Sequence, residues 1–150
     1  MDLILWRHAE AEPGEPDMGR RLTGKGAKQA ERMSAWLDAH LPDTCRILVS
    51  PADRAQQTAQ ALNRKFKTVA ELAPGASVAA VLAAANWPES REPVLIVGHQ
   101  PTLGMVASFL LSGVEAYWSI RKGAVWWLSN RAKEDGASVV LRAVQSPDLL

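Results

Sequence analysis

A chain of 150 residues, 47% hydrophobic and 22% charged, has the size and make-up of one globular domain that buries its core without disulfides or a structural metal. Seventeen Lys and Arg against 16 Asp and Glu leave a formal net charge of +1, which excludes a general pull toward nucleic acid or anionic membrane, so any positive site must be local. A single cysteine, Cys45, excludes an intrachain disulfide and any zinc-type cysteine spacing, and reads as a small hydrophobe ahead of an apolar run.

The chain opens on "LILWRHAEA". Four large apolar residues, Leu3 to Trp6, leave no polar face for water and predict a buried strand. Arg7 and His8 follow where that strand leaves the sheet. After the Pro- and Gly-punctuated loop "EAEPGEPDMGRRLTGKG", "GAKQAERMSAWLDAHL" places Ala27, Ala30, Met33, Leu37 and Leu41 on one helical stripe. A second strand, "RILVS", runs into "SPADRAQQTAQALNRKF". Its start predicts a helix capped by Ser50, with Pro51 at the first helical position and Asp53 completing a capping box. Ala55, Ala59, Leu62 and Phe66 are its expected buried face. "TVAEL" suggests a short strand, "ASVAAVLAAANW" a helix, "PVLIVGH" a third clear strand, and residues 101–111 a further helix. "GAVWWLSN" and "ASVVLRAVQ" form an expected antiparallel pair around a polar turn containing Gly136. Trp126 and Trp127, adjacent in a strand, must point to opposite faces.

Alternating strands and helices predict an α/β fold: a single three-layer α/β/α domain spanning residues 1–150, with a mostly parallel sheet and antiparallel strands at its end. Ligands of such sheets bind beyond the carboxyl ends of the strands. Arg7 and His8 end the first strand, Arg54 lies early in the helix after the second, and His99 ends the third. Together they can wall one anion site. A neutral imidazole with its lone pair aimed at phosphorus is a nucleophile. Nearby guanidiniums disfavour imidazolium and bind phosphoryl oxygens in a forked manner. Such a group stabilises phosphoryl transfer by position and charge without a metal. No metal and no cofactor is expected.

The segments "LWRHAEA", "RRLTGKG", "VSPADRAQQTA" and "VLIVGHQPTL" resemble the histidine phosphatase superfamily, which is phosphoglycerate mutase-like, and within it the SixA-like phosphohistidine phosphatases. The resemblance runs from Leu3 to about Leu111. It implies His8 as the nucleophile, Arg7 and Arg54 as phosphoryl ligands, and His99 as a hydrogen-bonding partner of the phosphoryl group. The arginine before "xLT" enters the pocket in SixA-like members. Arg20 occupies that place in "RRLT", although Arg21 stands where a proline is usual and the choice between the two stays open. Ala9 replaces the glycine of the commoner "RHG" form.

Larger members of the superfamily carry a long insertion over the site. Here only residues 71–93 are available for one, so no lid is expected and the crevice should be open. An open crevice favours a phosphorylated side chain on a folded partner over a small sugar phosphate enclosed on most sides. The expected reaction is dephosphorylation of phosphohistidine on a signalling or phosphotransfer protein, releasing inorganic phosphate. A broad phosphomonoesterase using the same residues is the alternative, and a phosphate-binding adaptor without turnover is a third reading. Glu71 is the candidate general acid by order in the chain, with Glu10 and Glu12 as alternatives. Neither nucleic acid nor membrane is an expected partner. With no secretory signal and no bilayer-length apolar run, the expected location is the cytoplasm.

Overall fold

In the computed structural model, which describes residues 1–133 and 136–150, strands β1 (Asp2–Arg7), β2 (Arg46–Val49), β3 (Lys67–Thr68) and β4 (Val94–Gly98) alternate with helices α1 (Gly24–His40), α2 (Asp53–Gln60), α3 (Val78–Ala84) and α4 (Thr102–Ser112). Strands β5 (Val125–Lys133) and β6 (Gly136–Gln145) follow. Gly136, expected in the polar turn between those two, is the first residue of β6, and residues 134 and 135 lie outside the described residues.

The sheet runs β3-β2-β4-β1-β5-β6. The first four of these pair in parallel, β5 runs antiparallel to β1, and β6 antiparallel to β5. Both faces are covered, which is why β1 and β4 read as unbroken apolar runs. Successive residues serve opposite faces. Leu3, Leu5, Val94 and Ile96 pack with α3 and α4, whereas Ile4, Trp6, Leu95 and Val97 pack with α1 and α2. Trp126 and Trp127 divide in the same way, Trp126 against the first cluster and Trp127 in the second. No helix among the described residues is long and apolar enough to cross a membrane.

Four local expectations need correction. Helix α2 starts at Asp53, with Ala52 at its N-cap and no side-chain cap. Ser50 lies two residues earlier and accepts the Ala52 N–H at 3.2 Å. Its geometry is taken up by a partner across the sheet, described below. The same helix stops at Gln60 because the chain turns at Asn63 (φ 54°), a conformation asparagine tolerates. Leu62 and Phe66 therefore reach the core from a loop. "TVAEL" contributes only Thr68 to the two-residue β3, which pairs with β2 at Leu48 and Val49 alone, and Ala70–Leu72 forms a 3-10 turn. On α1, Ala27 is exposed and Gly26 faces inward. A Cβ at Gly26 would run into the Glu10 carbonyl, so the helix can approach the loop after β1 only without a side chain there.

Helix α4 is locked to the segment preceding β5. Gln100 Nε2 donates to the Trp118 carbonyl at 2.8 Å, and Gln100 Oε1 accepts the Gly104 N–H at 2.7 Å. A Cβ at Gly104 would collide with that same Trp118 carbonyl. Gly104→Ala is expected to destabilise the protein by about 1–3 kcal/mol through overpacking, despite alanine's better helix propensity. Urea unfolding checks this; an unchanged midpoint contradicts it.

Candidate active site

Strand register brings the chemistry together. Arg7 pairs with Gly98 across β1 and β4, so His8 and His99 leave neighbouring strands side by side. Their ring centroids lie 5.1 Å apart. Val49 pairs with Val97 across β2 and β4, which sets Ser50 beside them. The His8 backbone is held at both ends: its N–H donates to the Gly98 carbonyl at 3.0 Å, and its carbonyl accepts the Gly123 N–H at 3.1 Å. The next residue is held as well, since the Ala9 N–H donates to Thr58 Oγ1 at 3.0 Å.

His8 is 9% exposed. Its Nδ1 lies 2.7 Å from the Ala9 carbonyl oxygen. A carbonyl only accepts, so Nδ1 carries the hydrogen, and the neutral ring keeps its lone pair on Nε2. Arg54 Nε donates toward that Nε2 at 3.4 Å. Arg54 is itself buried, at the second position of α2. Arg7, Arg20, Arg54, Lys122 and the two histidines line one crevice of about 190 Å³. Arg7 Nη1 donates to the Ile120 carbonyl at 2.9 Å, which aims the guanidinium along the crevice wall. Among the described residues its Nε is buried without a partner, and so is His99 Nδ1. Buried polar atoms left unsatisfied cost on the order of 1–3 kcal/mol each. An anion with several acceptor oxygens would satisfy both.

His99 Nε2 meets Ser50 Oγ at 2.7 Å. The hydroxyl already accepts the Ala52 N–H, so its own hydrogen is free for the ring.

Both rings are held neutral. The pKa of His8 falls from 6.5 to about 4. Burial is the largest cause, the hydrogen bond to Ala9 opposes it, and Arg54, Arg7 and Arg20 deepen the fall. His99 falls to about 3, again chiefly by burial and then by His8 and Arg54. Guanidinium charge, the cause expected from the sequence, is thus secondary to desolvation.

Arg7, His8, Arg54 and His99 meet at this crevice, and Arg20 joins them. Arg21 is exposed and absent from the lining. Glu71 stands apart: it lines a separate groove beside β3, with Arg46 and Lys67. Its 3-10 turn carries it along the sheet edge, away from the ends of β1 and β4. Glu10 accepts a hydrogen bond from Thr23 Oγ1, the N-cap of α1, at 2.8 Å, and Glu12 contributes its backbone carbonyl to Arg20. The carboxylate that does touch the arginines is Asp17, 3.2 Å from Arg54 Nη2 and 3.1 Å from Arg20 Nη1. Asp17, Ser50, Thr58 and Lys122 were all missed in the sequence. The only trace of Ser50 and Thr58 was their place in "SPADRAQQT".

The model of the histidine phosphatase superfamily (branch 1) matches residues 3–77. The chain belongs to that superfamily, and it is a phosphatase, a hydrolase. It is 33% identical over 126 residues to a phosphohistidine phosphatase SixA homolog of Haemophilus influenzae, covering 73% of this chain and 77% of that one. With phosphohistidine phosphatase SixA of Escherichia coli it shares 30% identity over 122 residues, 75% of this chain and 76% of the other. The solved structure of the protein histidine phosphatase SixA complexed with tungstate superposes with a TM-score of 0.77 at 25% identity, over 99% of both chains.

Neutral buried histidines make stability depend on pH. Below the unfolded value of 6.5 the unfolded chain takes up protons that the folded rings refuse until about pH 4 for His8 and about pH 3 for His99. Their contribution is therefore complete above pH 6.5 and is lost as pH falls through that window, by a few kcal/mol, on the order set by proton linkage. Chemical unfolding across the window is expected to show a steeper loss in the wild type than in the His8→Gln/His99→Gln double variant. Equal slopes contradict neutral burial.

Proposed function

We propose that this phosphatase works without a metal, that His8 Nε2 is its nucleophile, and that its substrate is phosphohistidine on a signalling or phosphotransfer protein in the cytoplasm. The observation that carries this reading is the Nδ1–H to Ala9 contact, which leaves the Nε2 lone pair facing Arg54 inside a cationic crevice.

In the first step the Nε2 lone pair forms a bond to phosphorus while the bond from phosphorus to the substrate nitrogen breaks. The departing nitrogen keeps that electron pair and takes a proton from solvent. Arg54 Nε, now aimed at Nε2, donates to an oxygen of the phosphoryl group, and the unpartnered Arg7 Nε serves a second. If the Ser50 hydroxyl donates to His99 Nε2, the ring hydrogen of His99 sits on Nδ1, where it can reach a third oxygen. Arg20 adds charge at the rim. In the second step water adds to phosphorus, the Nε2–phosphorus bond breaks, inorganic phosphate leaves, and a proton is released to solvent.

Four observations support a metal-free reaction on a protein-borne group. Charge stabilisation is available from guanidiniums, and among the described residues no three His, Cys, Asp or Glu side chains gather to hold a metal. Residues 71–93 hold only the end of a 3-10 turn, the seven-residue α3 and short connecting turns, and of them Pro74 alone lines the crevice, which leaves it without a folded insertion above it. The relatives of H. influenzae and E. coli bear the name of phosphohistidine phosphatases. Among the described residues no glutamate lines the crevice, which suits a leaving nitrogen that solvent can protonate better than an ester oxygen that needs a placed acid.

Incubation with a histidine-phosphorylated domain, followed by rapid quench, is expected to trap an acid-labile, alkali-stable phosphoenzyme. His8→Ala should lose both the label and turnover, by at least about 10³-fold. Normal turnover by His8→Ala overturns the nucleophile. Higher kcat/KM on phosphate esters than on the phosphohistidine domain overturns the substrate and leaves a phosphomonoesterase.

A further inference from the structure

The loop between β1 and α1 returns over the crevice. It is closed at its base by an Ala11–Leu22 bridge and by the Glu12 N–H donating to the Arg21 carbonyl at 2.8 Å. At its far side Asp17 engages Arg54 twice: its backbone carbonyl accepts from Nη1 at 2.8 Å, and its Oδ2 from Nη2 at 3.2 Å. Its Oδ1 accepts from Arg20 Nη1 at 3.1 Å, while Arg20 Nε donates to the Glu12 carbonyl at 2.7 Å. Carboxylate and phosphoryl oxygens are alike to a guanidinium, since both take parallel N–H bonds. Asp17 is outside the crevice lining, yet its carboxylate occupies Nη donors of two arginines that do line it, Arg54 and Arg20, donors that an entering phosphoryl group can also use.

We propose that Asp17 sets the affinity of the site for phosphate: its carboxylate competes with the phosphoryl group for Arg54 and Arg20, weakening the hold on product phosphate and speeding its release. This rests on the anion site proposed above. The side chain of Asp17 is half exposed, so it can turn outward at little cost when a more highly charged anion enters. Its carboxyl is held below the ordinary carboxylate range, first by the hydrogen bond from Arg20, against a smaller upward push from burial, and then by Arg54. It is thus a permanent negative charge near neutral pH. A dianion lodged beside Arg54 feels that charge over a short distance, and removing it should tighten binding by about tenfold or more. The alternative is that Asp17 only anchors the two arginines, in which case its removal loosens them and weakens binding.

Asp17→Asn separates these outcomes, because the amide oxygen still accepts from arginine while the charge is gone. Inorganic phosphate is titrated calorimetrically into the wild type, Asp17→Asn and Asp17→Ala, and its inhibition constant is measured in parallel. Thermal midpoints confirm that each variant is folded, and either variant suffices. The proposal expects the phosphate Kd and inhibition constant of Asp17→Asn to fall about tenfold, with a lower KM and a kcat that does not rise. A Kd that is unchanged or raised overturns it. Phosphate titration needs no turnover, so its result stands apart from the His8→Ala test. Retained activity in His8→Ala sinks the covalent intermediate alone, while an unshifted Kd in Asp17→Asn sinks the role of Asp17 alone.

Discussion

The parallel register of β2, β4 and β1 is the constraint on which the rest depends. Arg7 opposite Gly98 and Val49 opposite Val97 bring three strands to an end at one level. Ser50, His99 and His8 are the residues that follow. A slip of one residue in β1 would turn His8 toward the other face and exchange the two apolar sets of the strand. Burial on both faces forbids that slip, because Ile4 and Trp6 belong to one core and Leu3 and Leu5 to the other. The same hydrophobic pattern that stabilises the sheet thus aligns the two imidazoles.

Desolvation and charge have separate tasks at the crevice. Burial keeps both rings neutral, with the arginines adding to the effect. The backbone of Ala9 chooses which nitrogen of His8 keeps its lone pair. The guanidiniums then supply what a phosphoryl group requires, fixed donors that stay charged. Concentrating cations in this way is unfavourable by itself, and Asp17 offsets part of it by pairing with Arg54 and Arg20. Catalytic sites often hold opposing demands of this kind, where full satisfaction of each group would leave nothing for the ligand.

Much of this was legible in the sequence. Apolar runs ending on Arg-His and on Gly-His announce strand ends, and the rule that ligands bind beyond the carboxyl ends of parallel strands gathers Arg7, His8, Arg54 and His99. What was illegible depended on pairs distant in the chain. Ser50 read as a helix cap because capping is local, whereas its contact with His99 crosses from one strand to the next. Asp17 sat in a loop whose return over the crevice follows from a bridge between Ala11 and Leu22 that no periodicity announces. Glu71 was favoured by its order in the chain, yet a 3-10 turn carries it along the sheet edge. Gly26 and Ala27 exchanged places because close approach to the Glu10 carbonyl, not hydrophobicity, selects the inward residue.

The central claim is that His8 is neutral near pH 7, with its hydrogen on Nδ1 and its lone pair on Nε2. Two-dimensional 15N–1H NMR of protein labelled at histidine nitrogens reads this directly. The account predicts a protonated, pyrrole-type Nδ1 and an unprotonated, pyridine-type Nε2 for His8, assigned by comparison with His8→Gln. A His8 ring protonated on both nitrogens, or one carrying its hydrogen on Nε2, would contradict it.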